Sequence, residues 1–453
     1  MKEKKKNDLV AKKELNIREK ILRKKIGNFM SYDDLSLIPI DYSWSFSNKT
    51  QKDTNYITHG IYTYPAKFIP QLASRLICEY SNEGDSVLDP MMGSGTTVVE
   101  SLVNKRIAFG SDINEIAYLV AKVKARVQNT QTLEKQMLRL QHECLDVGSL
   151  FEDVEKNKLI PENARIDYWF KSEQKKQLGT LLFYILKIDD SNIKDFFLVC
   201  FAQILKSTSI WLQKSVKPTR DMKKQVLAPF DLFFKYAQKM IKKNDEYRIL
   251  LSEKIKSNFD KFVNIKLSDS RNLTLKDESI DLIITSPPYV TSYEYADLHQ
   301  LPLLWLGILK DLPEFRKKFI GSSFRERKEI KLQSYIAENI VSKLKNKKAM
   351  EVKNYYADML ETFSEMYRVL KSHGKACIVI GNTQFEGVDI LNAEVFLEQM
   401  KAIGFLQHKI IHREIPSKML PSTRDAKTGR FTKVNKADSI IYPTEYILVM
   451  EKI

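Results

Sequence analysis

The 453-residue sequence predicts an open α/β fold, Rossmann-like and mostly parallel, with a C-terminal antiparallel hairpin and a helical insertion. Three observations carry this. Short apolar runs rich in β-branched residues recur at 86–88, 107–112, 262–269 and 280–284, and each ends at an acid or a Pro-Pro pair. Helical patterns follow the first two runs at once, the alternation a parallel sheet needs. Between 129 and 260 long helix-like segments with few glycines interrupt that alternation. A hydrophobic share of 43% can fill a sizeable core at this length.

The net charge of +16, from 73 Lys and Arg against 57 Asp and Glu, favours a polyanionic partner, and charge alone does not choose between nucleic acid and an anionic membrane surface. No apolar run approaches the roughly 18 residues of a membrane span, and Met1-Lys-Glu-Lys-Lys-Lys6 lacks the apolar core of a signal peptide, so a cytoplasmic protein is expected. Cys78, Cys144, Cys200 and Cys377 are scattered without metal-binding or redox spacing. Reduced core thiols and no metal site are expected.

Taken in order, residues 1–58 form a basic arm and an aromatic, turn-rich lead-in with Tyr32, Tyr42, Trp44 and Phe46. The basic stretch up to about residue 25 suits a solvated helix or an arm along phosphates, the first being the more economical reading. Residues 59–128 form the first part of the main domain. Here Tyr64-Pro-Ala-Lys-Phe-Ile-Pro70 leads into a helix whose first turn suits Pro70. A strand at 86–88 then meets Asp89-Pro-Met-Met-Gly-Ser-Gly-Thr-Thr97, a glycine-bearing loop that opens a helix. Glycines allow close backbone approach to a ligand, and free N–H groups at a helix start favour an anionic group. Without a following Gly-Lys-Ser/Thr it is not a P-loop. Asp112 ends the second strand about 20 residues on, where an acid can hold ribose hydroxyls or simply cap the next helix.

Residues 129–260 form the helical insertion, with helices over 178–187, 195–209 and 230–241. Its lysines 171, 175, 176, 206, 214 and 217 and Arg220 are interleaved with Tyr168, Trp169, Phe170 and Trp211, a mixture equally suited to solvent and to a DNA backbone. Residues 261–453 complete the main domain. They comprise a third strand ending at Asp269, a fourth ending in Thr285-Ser-Pro-Pro-Tyr289, and a helix over 293–309. A charge-dense insertion at 310–350, a helix over 355–371, a strand at 375–381 and a helix over 391–402 follow. Strands at 406–415 and 446–451 pair as a hairpin. The loop between them, 416–443, holds Lys418, Arg424, Lys427, Arg430 and Lys433, candidates for phosphate contact. At 286–289 the Pro-Pro pair fixes two φ angles at the carboxyl end of a buried strand, where open α/β sheets bind ligands.

The coincidence of Asp89-Pro-Met-Met-Gly-Ser-Gly-Thr-Thr97, Asp112 and Ser286-Pro-Pro-Tyr289 resembles the amino-group DNA methyltransferases, which methylate cytosine N4 or adenine N6 with S-adenosylmethionine. The resemblance covers about 60–130 and 260–453. It implies a methyltransferase sheet in which Tyr64, Pro65, Lys67 and Phe68 lie over the methionine end of the cofactor. Asp89, Pro90, Met91, Met92, Gly93, Ser94, Gly95, Thr96 and Thr97 would hold the methionine moiety, Asp112 and Ile113 the ribose, and Asp269 and Ser270 the adenine. It further implies that Ser286 and the Pro287 carbonyl accept the protons of the target amine, and that Pro288 and Tyr289 complete the site, Tyr289 stacking on a base extruded from the duplex. Ser at the first of these four positions goes mainly with cytosine N4 in the family, Asp or Asn with adenine N6. The expectation is therefore a cytosine-N4 methyltransferase on double-stranded DNA in a restriction-modification system, with a cognate endonuclease acting separately. The other readings are adenine N6, an RNA substrate, and a catalytically silent DNA-binding module. Placed before Asp269, the helical insertion does not match the family's usual target-recognition region.

Overall fold

Among the described residues, seven strands form one sheet: β1 (Ser86–Asp89), β2 (Ile107–Asp112), β3 (Val263–Leu267), β4 (Ile280–Thr285), β5 (Leu370–Ile380), β6 (Phe405–Glu414) and β7 (Thr444–Lys452), in the order β3-β2-β1-β4-β5-β7-β6. The first five are mutually parallel, and β7 lies antiparallel between β5 and β6. The order reverses between β1 and β4, so their carboxyl ends open the crevice of a topological switch point. This computed structural model describes residues 35–453 apart from 65, 66, 68, 146–149, 214, 216, 217, 291–294, 323, 324, 326–329, 416–422, 425–438 and 441–443. The chain divides into Met1–Pro39 and Ile40–Ile453, and all that follows concerns the second unit.

Helix α1 (Pro70–Tyr80) starts on Pro70, which needs no N–H partner there, and buries Leu72, Leu76 and Ile77 with Val87, Leu282, Ile284 and Val449 of the sheet. On another core, α2 (Thr96–Val103) and α3 (Glu115–Ala125) bury Val98, Val99, Leu102 and Ala121 with Ala108. The insertion includes α4 (Thr130–Leu145), α5 (Leu150–Lys158), α6 (Ala164–Trp169), α7 (Ser172–Leu186), α8 (Ser191–Ile204) and α9 (Pro229–Leu250), followed by the short helices Glu253–Ser257 and Phe259–Phe262. Its buried face is continuous with Ile116 and Val120 of α3 and with Leu301, Leu304 and Trp305. It is therefore packed into the main domain through a shared core. Helices α10 (Asn346–Val369) and α11 (Asn392–Ile403) meet through Phe363 and Phe396, whose rings lie edge to face at 4.9 Å.

Several local expectations are corrected. The helix expected over 293–309 is two, Tyr295–Leu298 and Gln300–Trp305, because Pro302 in a continuous helix would clash with the carbonyl four residues back, at Leu298. The fifth strand begins at Leu370, directly after α10. An unforeseen hairpin, Thr383–Phe385 with Val388–Ile390, turns on Glu386 and Gly387, both at positive φ. Cys144, Cys200 and Cys377 are buried, but Cys78 is exposed beside Asn104. Within the aromatic and basic stretch of the insertion, Trp169 and Trp211 stack on each other in the core at 5.1 Å, while Arg220 lies over exposed Tyr168. Lys175 pairs with Asp167, and Lys206 donates to the Ser215 carbonyl. Lys214, Lys217 and the basic stretch at residues 1–25 lie outside the described residues.

Candidate active site

The loop after β1 is shaped by its glycines and by the acids at two strand ends. Gly95, at φ +75°, starts α2, and a Cβ there would stand 2.8 Å from that of Ala121. Only glycine suits both the conformation and the space. Asp89, 2% exposed, accepts from Thr97 Oγ1 at 2.8 Å and from the Met91 N–H at 3.2 Å. Burial pushes its carboxyl up to about 7, the hydrogen bonds opposing this only in part. Asp112 accepts from the Gly93 N–H at 2.8 Å and the Asn114 N–H at 2.9 Å, tying the glycine loop to the end of β2. Desolvation raises it to about 6. The residue that caps α3 is Asn114, whose side chain accepts from the Ile116 N–H, so Asp112 is not the helix cap.

These groups line one cleft enclosing about 850 Å³ of atom-free space open to solvent. Tyr64, Lys67, Asp89, Pro90, Met91, Met92, Gly93, Ser94, Thr96, Asp112, Ile113, Asp269 and Ser270 border it, as do Ser286 and Pro288. Gly95 and Thr97 stand behind the wall, and Pro65 and Phe68 lie outside the described residues. Pro287 is buried and does not border the cleft, nor does Tyr289. Of the residues named for phosphate contact, only the backbone of Arg424 is described, paired with Ser439; Lys418, Lys427, Arg430 and Lys433 lie outside the described residues.

Four lining residues were not anticipated: Asn114, Lys318, Phe319 and Ile320. The last three come from the charge-dense insertion and are held by a buried carboxylate of α10. Asp358, fully buried, accepts from Arg271 at 2.9 Å, from Arg325 at 2.5 Å and from the Gly321 N–H at 2.9 Å. Arg271 also donates to the Lys318 carbonyl and takes both oxygens of Asp269. Burial pushes Asp269 up, but the hydrogen bonds and charge of Arg271 outweigh it and hold the acid below its ordinary value.

Behind the glycine loop lies a second set of ionisable groups. Lys67 donates to Asn55 Oδ1 and the His59 carbonyl, and desolvation lowers it to about 8. His59 Nε2 is 2.7 Å from Glu100, which also accepts from Tyr56. Burial raises Glu100 to about 7 and depresses both His59 and Lys124, whose Nζ is 3.4 Å from Ser94 Oγ.

At the end of β4 the hydroxyl of Tyr289 donates to Glu445 at 2.9 Å, and Arg413 donates to the other oxygen of Glu445 at 3.0 Å. These partners come from β7 and β6.

A family model described as DNA methylase, of the N6/N4 type, matches residues 2–123 and 280–452. The match reaches into the amino terminus, which the sequence resemblance had left out, and leaves out 124–279, the helical insertion with Asp269. Type II methyltransferase M.MvaI of Kocuria varians is 26% identical over 426 residues, 87% of this chain and 92% of its own length. That coverage cannot be reached without crossing the helical region. Type II methyltransferase M.BsoBI of Geobacillus stearothermophilus is 23% identical over 80% of this chain and 81% of its own. Among solved structures, a Thermus thermophilus protein described as a putative DNA modification methylase, complexed with S-adenosyl-L-methionine, matches at TM-score 0.20 and 16% identity, over 41% of this chain and 53% of its own.

Proposed function

The chain belongs to the DNA methylase family of the N6/N4 type, and from that premise we propose that it methylates the exocyclic N4 amine of cytosine in duplex DNA. The setting is a restriction-modification system in the cytoplasm. The observation that carries this reading is Ser286 on the wall of the cleft lined by Asp89, Asp112 and Asp269. The cleft fits S-adenosylmethionine in chemistry: acids for its cationic groups and hydroxyls, Lys67 for a carboxylate, and Met91, Ile113, Phe319 and Ile320 for an apolar ring. S-adenosylmethionine supplies the methyl group.

Asp89 with the loop from Met91 to Thr96 would hold the methionine end, Asp112 the ribose and Asp269 the adenine amine. Ser286 Oγ and the Pro287 carbonyl accept hydrogen bonds from the two N–H groups of the target amine. This draws the nitrogen lone pair out of the ring and stabilises the charge that grows on it. One of these protons leaves to water once the methylated nitrogen carries positive charge. Tyr289 stacks on the base once it has left the duplex.

The experiment is to express the protein in a host lacking DNA methylation, digest the DNA to nucleosides and weigh them. N4-methylcytosine is expected. N6-methyladenine alone would transfer the reading to adenine, and labelling of RNA but not DNA would overturn the substrate class.

A further inference from the structure

Resting on the reading that Tyr289 stacks on the extruded base, we propose that Glu445, braced by Arg413, is a positioning residue for the Tyr289 ring. Three chain-distant side chains meet here. Tyr289 follows β4, and Arg413 and Glu445 stand directly opposite each other in the antiparallel register of β6 and β7. The carboxylate of Glu445 is divided between two donors, Oε2 to the Tyr289 hydroxyl at 2.9 Å and Oε1 to Arg413 at 3.0 Å. Arg413 and Glu445 are 3% and 7% exposed, so both charges are largely out of water.

A buried pair of this kind is a poor device for stability alone, since matched apolar residues often serve as well. What it provides here is a fixed acceptor at the far edge of an aromatic ring. The near end of that ring is set by the backbone of Pro287 and Pro288, whose φ angles are restricted. With both ends held, the ring keeps one plane just beyond Ser286 and Pro288, which line the cleft. A ring free to pivot would let a stacked base drift, and a displacement of about 1 Å at a reacting atom can cost on the order of a hundredfold in rate.

The test measures single-turnover methyl transfer to duplex DNA carrying the site found by sequencing the expressing host. The variants are Y289A, Y289F, E445A, E445Q and the double variant Y289F/E445A. The expected result is a fall of about tenfold for Y289F and for E445A, with the double variant no slower than either. E445Q keeps an acceptor oxygen and should stay within about threefold of wild type. The dissociation constant for S-adenosylmethionine should be unchanged throughout, which also reports that the variants are folded. Should E445A not fold, the same cycle is run with E445Q, whose smaller loss must then vanish in the Y289F background. An unaltered rate in E445A, or an equal fall on the wild-type and Y289F backgrounds, would overturn the proposal. Full activity in Y289A would instead overturn the stacking role of Tyr289 on which it rests.

Discussion

Asp89 and Asp112 stand in the cleft with carboxyls raised to about 7 and about 6. A raised carboxyl takes up its proton on the acid side of neutrality, which has two consequences of opposite sign. In the free protein, ionising Asp89 in its buried site opposes folding, and this penalty, complete above about pH 8, fades as pH falls through the folded value near 7 toward the ordinary carboxylate value near 3.8. Binding of a cationic cofactor favours the ionised acid, so affinity for S-adenosylmethionine should weaken over the same interval. Titration calorimetry should show a loss of about fivefold to tenfold between pH 7.5 and pH 6, as one carboxylate with a pKa near 7 requires. Asp89→Asn should bind weakly at both pH values and lose that dependence. Equal pH dependence in the variant would remove Asp89 from the cofactor site. Gly95 sets a second constraint at this scale. Gly95→Ala places a Cβ against Ala121 at a positive φ and should lower stability by about 1–3 kcal/mol, read from thermal unfolding.

Between elements, the cleft wall from Lys318 to Ile320 depends on one carboxylate of α10. Asp358 receives Arg271, Arg325 and the Gly321 N–H in a fully buried position, and Arg271 in turn holds Asp269. Removing one partner from such a network strands the others, at a cost of about 3–5 kcal/mol. Asp358→Asn should therefore lower the unfolding temperature and weaken S-adenosylmethionine binding together. Full cofactor affinity in a destabilised variant would show that the wall does not need this anchor. The strands, the glycine loop and Ser286-Pro-Pro-Tyr289 are legible in the sequence because each is a local pattern: an apolar run, a breaker, a helix start. Asp358 and Arg271 lie 87 residues apart, and Glu445 lies 156 from Tyr289. No period or spacing links such pairs. Lys318, Phe319 and Ile320 sit in a stretch so rich in charge that its pattern reads as a mobile or DNA-facing insertion. Trp169 and Trp211 mislead in the other direction, since aromatic residues among lysines suggest a surface while the fold stacks them inside.

Across the molecule the positive charge is unevenly placed along the chain. Residues 1–34 carry a net +5 and residues 416–443 a net +4, so these two stretches hold more than half of the +16. The second lies between β6 and β7, the strands whose Arg413–Glu445 pair reaches Tyr289, which connects this basic stretch in sequence to the proposed base-stacking ring. Binding to duplex DNA releases about one condensed counterion for each phosphate neutralised, so affinity falls with salt along a slope set by the number of contacts. A protein making 6–10 contacts is expected to lose about 10³–10⁵ in affinity between 50 and 200 mM salt. If residues 416–443 lie on the backbone, the triple variant Lys427→Ala, Arg430→Ala, Lys433→Ala should flatten the slope of log affinity against log salt by about 2–3, since each phosphate-bound cation contributes about 1. The loss should be similar on specific and unrelated duplexes, because phosphate contacts carry no sequence information. Fluorescence anisotropy over a salt series on both duplexes makes the measurement. An unchanged slope would move the phosphate contacts to another surface, and a loss confined to the specific duplex would make these residues readers of bases.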